Sequence, residues 1–70
     1  MSMVIIYGKN GCPYTAAARK DFEARGIHYD YLDVQTDPQA LEAMLAKSGG
    51  RREVPVIVEN DAVKVGFGGT

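Results

Sequence analysis

The chain has a single cysteine, Cys12, set in Gly11-Cys12-Pro13-Tyr14-Thr15. Pro13 suits the first turn of a helix, because its missing N–H would have had no partner there. The pattern that follows predicts a helix over residues 13–25. Cys12 then stands at the helix entrance, where backbone N–H groups point outward unpaired. A thiolate at that place accepts hydrogen bonds from them and feels the positive end of the helix dipole. The expected result is a depressed thiol pKa and a nucleophile partly ionised near neutral pH. Such a thiolate can attack a disulfide sulfur and form a mixed disulfide. A free cysteine is otherwise often an inert core residue. Here the neighbouring Gly8, Asn10 and Gly11 place it in a turn instead. Thr15 has no thiol with which to resolve the adduct. Its hydroxyl can donate to the Cys12 thiolate or cap the helix. The chemistry open to the chain is therefore monothiol, with a second molecule supplying the resolving thiol.

The rest of the chain must hold that turn in place. Met3-Val4-Ile5-Ile6-Tyr7 reads as a short buried strand. In the helix, Ala18 and Phe22 are four apart and share the core face. Gly26 reads as its stop. Residues 27–34 alternate and are rich in aromatics, which predicts a second strand. Asp37 caps a second helix, with Pro38 in its first turn and Leu41, Met44 and Leu45 as its apolar stripe. Ser48-Gly49-Gly50 ends it. A third strand over residues 56–59, a turn at Asn60-Asp61 and a fourth strand over residues 62–65 complete a hairpin. The order β-α-β-α-β-β predicts an α/β fold with a four-stranded mixed sheet. His28 has no ligand partner at useful spacing and reads as a polar strand-entry residue, so no metal site is expected.

Seventy residues make one domain, residues 1–70. A core this small is marginal, and one cysteine cannot form an internal disulfide. Self-association is therefore expected. The net charge of -1 gives no electrostatic case for nucleic acid or an anionic membrane. No apolar run approaches the roughly 20 residues that span a bilayer. A lone cysteine without an export signal points to a reducing cytoplasm.

Lys9-Asn10-Gly11-Cys12-Pro13-Tyr14 between a strand and a helix resembles the glutaredoxins, members of the thioredoxin-fold superfamily whose usual motif is Cys-Pro-Tyr-Cys. Thr15 stands where the second cysteine would be. Val54-Pro55 is similar to the family segment whose cis proline faces the cysteine, and Gly66-Phe67-Gly68-Gly69 to its glycine-rich turn. The resemblance implies a thioredoxin-like fold, without the family's C-terminal helix because the chain stops at Thr70. It implies a glutaredoxin-type thiol-disulfide oxidoreductase, active in redox and electron transport. It also implies a glutathione site: Lys9 and Arg51 facing the glycine carboxylate, Tyr14 lining the pocket, and the Val54 backbone ahead of Pro55 pairing with the peptide, with Gly66 and Gly68 in the turn. The plain reading of Lys9 and Arg51 is two solvated surface charges. The acidic pair that many glutaredoxins place after Gly-Gly is missing here. Gly66-Phe67 is similar instead to the glutaredoxin-like electron donors of ribonucleotide reductase. Cys-x-x-Thr and the short C-terminus resemble a small group with cysteine or selenocysteine at the first position.

Partners expected on these grounds are glutathione, as a possible co-substrate, or protein thiols and disulfides, with no bound cofactor. A second class is a module holding an iron–sulfur cluster through Cys12; its usual motif, Cys-Gly-Phe-Ser, lacks the stiffening Pro13. For self-association a homodimer is expected, with Val63, Val65 and Phe67 near the contact. The other use of Phe67 is to fold back onto its own sheet.

Overall fold

A computed structural model describes residues 3–67. Gly68, Gly69 and Thr70 lie outside the described residues, and with them the expected role of Gly68 in the turn. The elements are β1 (Val4–Gly8), α1 (Pro13–Ala24), β2 (Asp30–Asp33), α2 (Pro38–Ser48), β3 (Val56–Glu59) and β4 (Ala62–Val65). The four strands run in the order β2-β1-β3-β4. β2 pairs parallel to β1, with Ile6 opposite Tyr31. β3 pairs antiparallel to β1, with Ile6 opposite Ile57, and β4 closes the hairpin on β3.

Side chains on a strand alternate between faces, and both faces of this sheet are used. Val4, Ile6 and Ile57 pack with Ala18 and Phe22 of α1. Tyr7, Val56 and Val58 pack with Ala40 and Met44 of α2. Ile6 and Met44 are wholly buried, and removing one such side chain from water contributes about 1.5–3 kcal/mol. The sheet is thus a mixed four-stranded layer with one helix on each face, the thioredoxin-like arrangement. α2 begins at Asp37, whose Oδ1 accepts from the Gln39 and Ala40 N–H groups at 3.0 and 3.3 Å. That satisfies two of the orphan donors of the first turn.

β2 is shorter than the alternation over residues 27–34 predicts. Ile27 donates its N–H to the Phe22 carbonyl at 2.9 Å, so it closes the end of α1 instead of joining the sheet. The Tyr29 ring packs 6.3 Å from the Phe22 ring. These side chains find the core without strand pairing, and apolar alternation alone cannot separate the two situations. α1 stops at Ala24, with Arg25 as its C-cap.

The side chains expected at a dimer contact divide between the two faces. Phe67 packs onto the α1-side core, and Val65 onto the α2-side core. Val63 is 40% exposed. Beside Phe67, an open groove of about 580 Å³ runs between α1 and the β3–β4 hairpin, lined by Phe22, Arg25, Ile57 and Lys64 among others. Among the described residues, no helix is long and apolar enough to cross a membrane.

Candidate active site

β1 and α1 are joined by a loop that reverses direction within a few residues. Gly11 takes φ +84°, a conformation that strains any residue with a side chain. Cys12 follows in an extended conformation (φ -84°, ψ 118°) as the N-cap of α1, with Pro13 opening the helix. Its carbonyl accepts the Ala16 N–H at 3.0 Å, the first bond of the helix. The side chain makes no capping bond as a neutral thiol.

Cys12 is only 9% exposed. Burial, the largest single influence, pushes its thiol pKa up. The opposing influences together are greater, and the net displacement is downward. They are the Thr15 N–H, the Thr15 hydroxyl and the Tyr14 N–H as donors available to the charged sulfur, and the charge of Lys9. Each stabilises the thiolate. The downward direction is the one expected for a thiol at a helix entrance.

Thr15 is 2% exposed, and its Oγ1 is buried without a hydrogen-bond partner. A buried hydroxyl left unpaired costs about 1–3 kcal/mol. Yet the same hydroxyl lies near enough to Cys12 to help lower its pKa. The two facts fit together if the thiolate, rather than the thiol, is its acceptor. Of the two uses expected for Thr15, capping is taken by Cys12's own position, since Thr15 lies inside the first turn.

Lys9, Tyr14 and Thr15 therefore act on Cys12 directly. Tyr14 is 42% exposed, and it is its backbone N–H that bears on the sulfur. The Val54-Pro55 bond is cis, as the resemblance implied. Pro55 is fully buried, and its carbonyl accepts the Gly66 N–H at 2.7 Å, which ties the end of β4 to the start of β3. Arg51 is placed differently from expectation. Its Nε and Nη2 donate to the two carboxylate oxygens of Glu53 at 3.0 and 2.9 Å. That bidentate pair raises the Arg51 pKa and lowers that of Glu53.

Sequence reading passed over four residues in the network behind the loop, Tyr31, Arg19, Tyr29 and Glu23. Tyr31 of β2 donates its hydroxyl to Asn10 Oδ1 at 3.1 Å. The Arg19 guanidinium lies 4.1 Å over the Tyr31 ring. Arg19 Nε also donates to the Tyr29 hydroxyl at 3.2 Å, and that hydroxyl donates to the Glu23 carboxylate. Nothing in the spacing of these residues announces the network. The Glu53 partner of Arg51 was readable, as opposite charges two residues apart. Among the described residues, no group of three or more His, Cys, Asp or Glu could hold a metal ion. A cluster bound through Cys12 would need its remaining ligands from outside the chain.

Comparison with known proteins gives the same direction. The Glutaredoxin family model matches residues 4–63. The glutaredoxin-like protein NrdH of Escherichia coli K12 is 33% identical over 64 residues, which cover 91% of this chain and 76% of that protein. Mycoredoxin 1 of Corynebacterium glutamicum is 36% identical over 61 residues, covering 87% and 75%. The solved structure of the E. coli NrdH-redoxin superposes with a TM-score of 0.82 at 30% identity, over 94% of this chain and 84% of that one.

Proposed function

The chain belongs to the glutaredoxin family and is a glutaredoxin-like thiol-disulfide oxidoreductase, and we propose that it works by a monothiol route through Cys12. The observation that carries this reading is the Cys12 thiol at the N-cap of α1, displaced downward by the Thr15 and Tyr14 groups around it.

The Cys12 thiolate attacks one sulfur of a substrate disulfide. The S–S bond breaks, and the other sulfur leaves as a thiolate that takes a proton from water. Cys12 is now in a mixed disulfide. An external thiolate attacks the substrate-side sulfur of that adduct, which releases Cys12 as a thiolate again. That attack leaves the external thiol joined to the substrate sulfur. A second external thiolate attacks the external sulfur of this adduct and releases the substrate thiolate, so two external thiols supply the two electrons and end as the new disulfide. Thr15 donates its hydroxyl to Cys12 each time the thiolate forms, and the Tyr14 and Thr15 N–H groups hold the charge.

The NrdH-redoxin of E. coli is described by a thioredoxin-like activity profile. By analogy, protein disulfides are proposed as substrates here, with glutathione as a possible co-substrate and no bound cofactor. Lys9 and the exposed Tyr14 would face the substrate, with Val54, Pro55 and Gly66 on the other wall and Arg51 at its edge. The cytoplasm is the proposed location, since Cys12 must stay reduced to act. For a homodimer, the proposed contact is Val63 and the groove beside Phe67.

Intact-mass analysis after incubation with oxidised glutathione tests the reading. One glutathionyl adduct on the wild type and none on Cys12→Ser is the expected result. Insulin reduction with a thiol reductant then tests protein disulfides. A wild type that stays unmodified and reduces nothing overturns the proposal, and a brown protein absorbing in the visible points to the cluster instead.

A further inference from the structure

We infer that Tyr31 is a positioning residue for the thiol: its hydroxyl holds Asn10, and with it the 9–11 loop, in the geometry that presents Cys12 at the start of α1. The inference rests on the thiol chemistry proposed above.

Three elements meet at this tyrosine. β2 supplies Tyr31, the loop supplies Asn10, and α1 supplies Arg19. Tyr31 is itself well fixed. Its backbone is opposite Ile6 in the parallel pair, and its ring packs against the α1-side core. The Arg19 guanidinium covers the ring at 4.1 Å, and Arg19 is held in turn by Tyr29, whose hydroxyl bonds Glu23. An arginine stacked on a tyrosine in this way is attracted by the face of the ring and restrains it.

The loop is less well fixed by its own backbone. The Cys12 N–H reaches the Lys9 carbonyl only at 3.4 Å, the long end of hydrogen bonding. Gly11, with no side chain, adds freedom at the residue before the cysteine. Asn10 sits between Lys9 and Gly11, and its carboxamide oxygen accepts a hydrogen bond from the Tyr31 hydroxyl at 3.1 Å. That bond crosses 21 residues of sequence. It fastens the loop to the sheet edge at the point where the loop would otherwise swing.

The charges around the two groups agree with this role. Cys12 meets Lys9 from the loop and Tyr31 from β2. Tyr31 meets Asp33 on its own strand, Arg19 from α1, Tyr29 and Cys12. Burial first, and then Asp33, raise the Tyr31 pKa, with Arg19 opposing and Cys12 adding. The phenol therefore keeps its proton while the thiol ionises, and the bond to Asn10 persists across the thiol titration. Without it the loop relaxes, the Lys9 charge and the helix N–H groups lose their alignment on the sulfur, and the thiol pKa rises.

The test is the pH dependence of Cys12 alkylation by iodoacetamide in the reduced full-length chain. Tyr31→Phe keeps the ring beneath Arg19 and removes only the hydroxyl. Asn10→Ala removes the acceptor at an exposed loop position, where folding is not at stake. Each should move the midpoint upward, and the double variant no further than either one. A midpoint moved by about 0.5 lowers the thiolate fraction at neutral pH by up to about threefold. Unchanged midpoints in both single variants, or shifts that add in the double variant, overturn the inference. A fall in melting temperature without a midpoint shift means a purely structural contact, and also overturns it. The wild type's capacity to exchange disulfides is read separately, so a failed exchange reaction with shifted midpoints rejects the function and not the positioning role.

Discussion

Gly8 and Thr15 touch so closely that no side chain fits between them. A Cβ built on Gly8 would stand 2.4 Å from Thr15 Cγ2 and 2.8 Å from its Oγ1. The last residue of β1 is thus the floor on which the first turn of α1 rests, and Cys12 is registered to the sheet through that contact.

Gly8→Ala should therefore destabilise the fold by about 1–3 kcal/mol, the usual cost of overpacking a closed site. Thr15 is buried and has nowhere to retreat. Adding Thr15→Ser removes the nearer methyl and should restore part of the loss. Urea midpoints of the three proteins measure this. A Gly8→Ala variant as stable as the wild type would show that the strand and helix are not in contact as described.

Cys12 links stability to pH. Its folded pKa lies below the ordinary thiol value of 9.0, so the fold favours the thiolate. The contribution is fully present above the unfolded value and is lost as pH falls through the folded one. The unfolding free energy of the wild type relative to Cys12→Ala should rise with pH between those two values and be flat below them. Thr15→Val removes one donor to the thiolate and should shrink the rise. It also removes a buried hydroxyl without a partner, so at low pH the same variant should be no less stable than the wild type. A relative stability that falls with rising pH contradicts the lowered thiol.

The chemistry of this site was readable wherever it is local. Pro13 at a helix start placed Cys12 at the N-cap, and Asp37-Pro38 placed the second helix, because caps depend on neighbours in sequence. The hairpin at Asn60-Asp61 was readable for the same reason. The burial of Thr15 on Gly8 was not, since it depends on the approach of a strand to a helix. Nor was the bond from Tyr31 to Asn10, which depends on the parallel register of β2. Ile27 and Tyr29 misled for a related cause: both are apolar and alternate, but they reach the core from an unpaired segment. Phe67 had two uses open to it in sequence, and which core it packs against, the one on the α1 side, is a matter of tertiary geometry.

Thr15→Cys supplies a resolving thiol three residues after Cys12, at the same helix entrance. The sulfur would take the place of the Thr15 hydroxyl, the side-chain group that bears on Cys12. The variant should reduce protein disulfides faster than the wild type, since the mixed disulfide can now resolve within the chain. Reduction of insulin at fixed reductant concentration measures this. Equal or lower rates would mean that the second thiol cannot reach the Cys12 sulfur, and that the monothiol route is imposed by geometry and not only by the residue present.

Glu53 should act as an internal competitor for anionic thiols. The resemblance assigned Arg51 to the glycine carboxylate of glutathione, but both carboxylate oxygens of Glu53 already engage its guanidinium. A bidentate fork satisfied in this way offers a substrate carboxylate less than a free arginine does. The pair is solvent-exposed on both sides, and exposed pairs are weak and screened by salt. Glutathione must displace Glu53 to use Arg51, and a weak pair allows that at a modest penalty. Glu53→Gln removes the competing charge while keeping the side chain's size. It should raise kcat/KM for a glutathione mixed disulfide by roughly two- to fivefold at low ionic strength, the range open to an exposed pair. The gain should fade at high salt, and Arg51→Ala should cancel it. Substrates without a carboxylate near the reacting sulfur should show no gain. If Glu53→Gln leaves glutathione turnover unchanged at low salt, Arg51 takes no part in recognising the thiol.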